Sequence, residues 1–278
     1  MRGKSFSISI PKPGQNTVNE DAAIAKERVI AVSDGAGGGG LYADLWSTYL
    51  LENLPDEPIV NFEQLDAWVD GIWETFYNDC EEKAKCEGGM VLDKFYNEGS
   101  FATLAAIWKG DKDYYWMTYG DSVAFHYNKH TQVLEHSFAR LADFNSPPYL
   151  INCKDPLNES GFRKGVFATD QDSVVFCATD ALAQFIIMTY EITHYHSYSE
   201  ELAEAVNAAT KNSVCIHAAT ARPIDFRNRV INKLSNCSPY NRKFENYVQG
   251  LLARRLLVLD DYSYAFCFCS PIYGKKTL

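Results

Sequence analysis

Along the first third of the chain, apolar positions recur at two different periods. Phe6-Ser7-Ile8-Ser9-Ile10 alternates strictly, as a half-buried strand does, and Pro11 and Pro13 end it because neither can donate to a ladder. Ala22 to Ile24 and Val29 to Val32 flank Lys26-Glu27-Arg28, which predicts a hairpin. Val29-Ile30-Ala31-Val32 is apolar throughout and reads as a buried strand. It runs into Ser33-Asp34 and the glycine run Gly35-Ala36-Gly37-Gly38-Gly39-Gly40, so one carboxylate is delivered where bare backbone lets a ligand approach. The same hairpin should return Asp34 to the neighbourhood of Glu20 and Asp21.

The period then lengthens. Leu45, Trp46, Tyr49, Leu50 and Leu54 predict a helix closed by Pro55 and Pro58. Phe62, Leu65, Val69, Ile72, Trp73 and Phe76 predict a longer one over Asn61 to Lys83, its stripe turned to a core or a sheet. From Ser100 the pattern is strands again: Phe101 to Trp108, Tyr114 to Tyr119 after a turn at Lys109-Gly110-Asp111-Lys112, and Val123 to Tyr127 after Gly120-Asp121-Ser122. Val166 to Thr169 and Val174 to Thr179 read as another pair, followed by Asp180 and a helix from Ala181 to Tyr190. The stretch from about Ser197 to Arg255 is mostly helical in pattern. Leu256-Leu257-Val258-Leu259 reads as a buried strand ending in Asp260-Asp261, with Tyr262 to Cys269 beside it.

At 278 residues and 46% hydrophobic content, the chain can bury roughly three quarters of its unfolded surface. It reads as one domain, 1–278, with a mostly helical insertion around 190–255. The formal charge of -10 argues against nucleic acid and against an anionic membrane as partners. No apolar run approaches a membrane span, and the first ten residues carry no signal segment, so a cytoplasmic monomer is expected. The eight cysteines form no C-x-x-C and mostly sit in apolar runs, as buried thiols do rather than a disulfide framework or a zinc site. His194 and His196 fall in a polar loop between helices, and His126, His130, His136 and His217 show no partner.

Three apolar strands are thus expected to end in an acid: Asp34, Asp180 and Asp260. One such acid is ordinary as a cap or turn residue. Three, with Glu20, Asp21 and Asp121, suit hard divalent cations, which take oxygen ligands. Gly35 to Gly40 also fits G-x-G-x-x-G, but a dinucleotide fold needs a parallel strand soon after the first helix, and a second long helix follows instead.

An ordered set of motifs resembles the metal-dependent serine/threonine protein phosphatases of type 2C. Asn19-Glu20-Asp21 looks like the family's N-E-D, Ser33-Asp34-Gly35 with its glycines like D-G-x-G-G, and Ser100-Phe101-Ala102-Thr103 like S-G-T-T. Gly120-Asp121-Ser122 looks like G-D-S, Ala178-Thr179-Asp180-Ala181-Leu182 like A-S-D-G-L, and Asp260-Asp261-Tyr262-Ser263 like the closing D-D-x-T.

The resemblance implies a four-layer αββα sandwich, two central antiparallel sheets flanked by helices. It implies two Mn²⁺ or Mg²⁺ ions bridged by Asp34, with Glu20 and the Gly35 carbonyl on one side and Asp180 and Asp260 on the other. Asp121 would help hold a third, looser ion, and Asp34 and Asp21 would carry the catalysis, Asp21 by orienting water. The implied reaction is hydrolysis of phosphoserine and phosphothreonine in a phosphorylated protein by in-line attack of water activated between two metals. The family's phosphate-holding arginine is Asn16 here, leaving Arg2, Lys4 or Lys12 to substitute. Ala36 stands where some members have a histidine, and Phe101 and Ala181 replace glycines. A pseudophosphatase acting as a binding module, or a small-molecule phosphatase, are the alternatives.

Overall fold

The computed structural model describes residues 5–15, 17–208, 211–221, 224–237, 239 and 242–269. In chain order, β1 (Ser5–Ile10) precedes the hairpin of β2 (Asp21–Ala25) and β3 (Val29–Asp34). Three helices follow: α1 (Ala43–Glu52), α2 (Phe62–Glu87) and α3 (Gly89–Glu98). Then come β4 (Phe101–Ala102), β5 (Leu104–Lys109), β6 (Asp113–Tyr119), β7 (Val123–Asn128), β8 (Leu134–His136) and β9 (Ile151–Asn152). β10 (Phe162–Ala168) and β11 (Ser173–Ala178) lead into α4 (Asp180–Thr193) and α5 (Tyr195–Asn207). α6 (Lys211–Thr220), a π-helical turn (Arg227–Ile231), α7 (Asn232–Ser235) and α8 (Lys243–Ala253) complete the helical stretch before β12 (Tyr262–Phe268).

Two five-stranded antiparallel sheets result, one in the order β1-β12-β11-β7-β8 and the other β10-β6-β5-β3-β2. Alternation along single strands shows how they stack. Ile30 and Val32 of β3, Val175 and Cys177 of β11 and Ala265 of β12 share the core between the sheets. Val29 and Ala31 face outward to Trp46, Leu50 and Phe76 of α1 and α2. Val174, Phe176 and Phe266 face outward to Leu182, Ile186 and Val248 of α4 and α8. Strands covered on both faces must be apolar at every position, which is why β3 and β11 read as continuous runs. The residues between the sheets are mostly small, and the eight cysteines are all free thiols, seven of them buried.

The hairpin, the first two helices and the turn between β5 and β6 stand where the pattern places them. Three expectations are corrected. The strands around 166 and 174 do not pair: β10 joins β6 in one sheet and β11 joins β7 and β12 in the other. Leu256 to Leu259 is no strand; Leu256 and Leu257 are buried on an irregular segment and Leu259 is exposed. β12 is already flanked by β1 and β11, so no free edge is left for it to join. α3, which fills the interval before Ser100, carries no apolar stripe strong enough to announce it, and Phe95 is its one buried residue. His194 caps α4 and His196 lies within α5, so neither belongs to a loop. With every described ladder antiparallel, the glycine run is not a dinucleotide-binding turn.

Candidate metal centre

The hairpin register sets Asp21 directly opposite Asp34. Like charges face each other at the open end of the sheet, where Gly35 bridges Ala102 and the Thr103 amide donates to the Asp34 carbonyl at 2.8 Å. From the other sheet, β11 ends two residues before Asp180, which opens α4, and the irregular segment brings in Asp260. Gly120-Asp121-Ser122, the turn between β6 and β7, adds Asp121. The helix N-terminus favours negative charge at Asp180 by a modest amount.

These acids feel one another. Burial, then the charges of Asp21, Asp180, Asp121 and Asp260, hold the Asp34 carboxyl well above the usual range. Asp180 is raised well above its ordinary value by burial and by Asp121, Asp260 and Asp21. Burial pushes Asp21 up to about 7, against a hydrogen bond from Thr179, and Asp121 up to about 6. Glu20 is raised by burial too, while Lys12 and the Gly37 amide oppose the shift. Asp34 and Asp180 keep an edge open to solvent but are otherwise packed round by protein. One Asp121 carboxyl oxygen is buried with no hydrogen-bond partner.

Local packing explains why the loop must be so rich in glycine. A Cβ on Gly37 would overlap the Glu20 carboxylate. A Cβ on Gly40 would come within 2.8 Å of the Phe101 ring and 2.9 Å of the Gly99 carbonyl. Gly40 thereby makes the room that Phe101 takes up in its S-F-A-T element. Ala181 lies in the first turn of α4 with ordinary backbone, so its side chain costs nothing there.

A second set of groups fastens the acids. The Asp261 carboxylate accepts from the Lys12 amide at 2.8 Å and the Glu20 amide at 2.9 Å, tying the stretch before β2 to the start of β12. Thr179 donates to Asp21 at 2.9 Å and accepts from the Ser263 amide at 3.0 Å. Ser9 donates to the Asp21 carbonyl and accepts from Asn19 and Ser263. Sequence reasoning missed Asp261, Thr179 and Ser9 as supports; the doubled acid and the Thr before Asp180 were their only signals.

Among the described residues, Lys12 is the cation at this centre, its ammonium 2.8 Å from an Asp260 carboxyl oxygen. Arg2, Lys4 and Asn16 lie outside the described residues. Among the described residues, no three His, Cys, Asp or Glu side chains stand in ready ligand geometry around one point. The donor set nonetheless fits a hard divalent ion: it is all oxygen, its charge exceeds what Lys12 can neutralise, and one buried oxygen is unpartnered. No described helix is long and apolar enough to cross a membrane.

No protein-family model matches the sequence, and no curated protein matches it. The fold does have known relatives in shape. Serine/threonine phosphatase Stp1 from Staphylococcus aureus superposes with a TM-score of 0.57 at 11% identity, over 97% of this chain and 96% of that one. The catalytic domain of serine/threonine phosphatase PstP, in complex with two manganese ions, gives 0.54 at 12% identity over 96% and 98%. PppA, a regulatory component of the type VI secretion system (T6SS) in Pseudomonas aeruginosa, gives 0.52 at 16% over 96% and 97%. Identities this low establish the architecture alone: this chain has the fold of the type 2C phosphatases.

Proposed function

We propose that the chain is a metal-dependent phosphatase acting on phosphoserine and phosphothreonine in proteins. The observation that carries this is the convergence of Glu20, Asp21, Asp34, Asp121, Asp180 and Asp260 at one end of a sandwich with the type 2C fold. Residues 1–278 are read as one such unit, with the helices of 190–255 as an added outer layer. Asp34 would be shared between two Mn²⁺ or Mg²⁺ ions, with Glu20 and the Gly35 carbonyl beside one and Asp180 and Asp260 beside the other. Asp121 would contribute to a third. Such a pair, when bound, lowers the pKa of water and screens phosphate charge during in-line attack.

The chain's own groups supply the positioning. Asp21, held by the Thr179 hydroxyl, stands opposite Asp34 and can accept a proton from attacking water. Asp261 fixes the Glu20 backbone so that its carboxylate meets Gly37. Among the described residues, Lys12 would be the cation to meet an incoming phosphate at this end, and its flexible point charge is a looser anchor than the family's arginine.

A regulatory reading draws on the same Lys12. An ammonium seated on Asp260 offers part of the charge balance that a metal would otherwise provide. Calorimetric titration with Mn²⁺, combined with hydrolysis of p-nitrophenyl phosphate and a phosphothreonine peptide with and without chelator, separates the readings. Metal-dependent turnover of both substrates, lost in Asp34→Asn, is the expected result. Turnover of p-nitrophenyl phosphate alone would favour a small-molecule substrate. Mn²⁺ binding without turnover would favour a regulatory module, and no Mn²⁺ binding at all would end the metal reading.

A further inference from the structure

A cavity of about 1200 Å³ opens in the helical layer, away from every residue assigned above to the metals. α4 contributes Phe185 to its floor, with Leu251 of α8 and Leu256, all three buried. The rim is exposed and of a different character. Arg229 of the π-helical turn, Lys233 of α7, and Lys243 and Arg254 at the two ends of α8 stand around it. The described lining includes no Asp or Glu, in a chain whose formal charge is -10.

Three of these cations are not ion-paired among the described residues. Arg229, Lys233 and Arg254 form no ion pair with a carboxylate among the described residues. Arg254 spends its Nε on the Gly250 carbonyl at 2.8 Å. Arg229 and Arg254 both lie close enough to Tyr247 to oppose the rise that burial imposes on its phenol, and Lys243 and Lys233 do the same at Cys237. Arg229, Lys233 and Arg254, gathered round one opening, repel each other, and an anion entering the cavity removes that repulsion.

Two more features narrow the ligand. The walls carry side-chain amides, Asn228, Asn232, Asn236 and Asn246, above an apolar floor where Phe185 and Tyr247 meet edge to face at 6.4 Å. That is the composition of a site for a molecule with a flat or apolar body and an anionic end, and the volume admits one of drug-like size. The π-helical turn that presents Arg229 is a local departure from α-geometry of the kind found most often at functional sites. We propose that this cavity binds a phosphorylated small molecule with a ring-bearing body, the chemical class of nucleotides. The inference does not depend on the phosphatase reading.

The test is calorimetric titration of the full chain with ADP in the presence of chelator, so that no metal can draw the nucleotide to the carboxylate end. Pyrophosphate and adenosine are titrated in parallel. One ADP per chain is expected, bound at least several-fold more tightly than either fragment, and weakened as salt rises from about 0.05 M to about 0.3 M. The Arg229→Ala/Arg254→Ala variant should lose roughly tenfold or more in ADP affinity. Both residues are exposed, so the fold should persist; should it fail, Lys233→Glu carries the same expectation. Absence of ADP binding, equal binding by the variants, or pyrophosphate binding as tight as ADP would each overturn the proposal.

Discussion

β11 begins at Ser173 and ends one residue short of Thr179 and two short of Asp180, and its two ends, roughly 20 Å apart, treat polar groups in opposite ways. At the start, Ser173 is 2% exposed and His126 5%, and every group is matched. His126 Nε2 lies 2.9 Å from the Ser173 hydroxyl and its Nδ1 meets Glu135, while Ser173 donates to Asp170 at 2.8 Å. The residue types are those of a hydrolytic triad. Yet the hydroxyl proton is committed to Asp170 and no substrate can reach it, so this line of groups closes a sheet edge. At the other end, burial and the charges of neighbouring aspartates raise the Asp34 and Asp180 carboxyls, and one Asp121 carboxyl oxygen has no partner. A buried polar group that is satisfied is structure; a cluster left in debt of positive charge marks where a ligand belongs.

The largest expected effect sharpens that contrast. Asp34→Asn should reduce Mn²⁺-dependent hydrolysis by about a thousandfold or more, while the metal-free protein melts no lower than the parent because one repelled carboxylate has been removed. Ser173→Ala, at the opposite end of the same strand, should leave turnover per folded molecule unchanged and cost about 2 kcal/mol in denaturant unfolding. Turnover lost in Ser173→Ala with the fold intact would break the comparison.

A buried carboxyl away from the cluster probes whether an unsatisfied acid is enough by itself. Burial, with Glu201 adding to it, pushes the Glu191 carboxyl of α4 up to about 9, and one of its oxygens has no partner. A raised acid keeps in the folded state a proton that the unfolded chain releases, so stability falls as pH climbs from about 4.5 towards 9. Glu191→Gln should remove that slope and gain about 3 kcal/mol at pH 7, with turnover unaltered. Denaturant unfolding of both proteins at acid, neutral and mildly alkaline pH reads the difference, and parallel pH profiles would refute it.

The smallest effect concerns the glycine loop. Gly40→Ala should cost about 1 to 3 kcal/mol by driving a methyl into the Phe101 ring, and adding Phe101→Ala should recover part of that loss. Additive losses in a double-mutant cycle would mean that Gly40 answers to the Gly99 backbone and not to Phe101.

Much of the architecture was legible because the strands are covered on both faces, and a run such as Val29 to Val32 has no other stable reading. Asp34 and Asp180 were legible at the ends of strands, whereas the strand expected to end in Asp260 does not form. What escaped detection depends on partners far away in sequence. Nothing local distinguishes Leu256 to Leu259 from a strand; only the occupied edges of β12 forbid it. β10 and β11 look like a hairpin by proximity, yet the choice of sheet is made by β6 and β7. Asp261 reads as half of a doublet until its two bonds, 249 and 241 residues away in sequence, are seen. The basic cavity left no motif, since its cations are spread over a π turn and two helices.

The position of β12 sets an order of assembly. It lies second in its sheet, between β1, made first, and β11, made some ninety residues earlier. Without the residues after 255, the sheet order leaves the position between β1 and β11 unfilled, and Asp260 and Asp261 are missing from the acid cluster. The acid cluster is therefore complete only once the segment that carries Asp260, Asp261 and β12 has entered between two strands made before it.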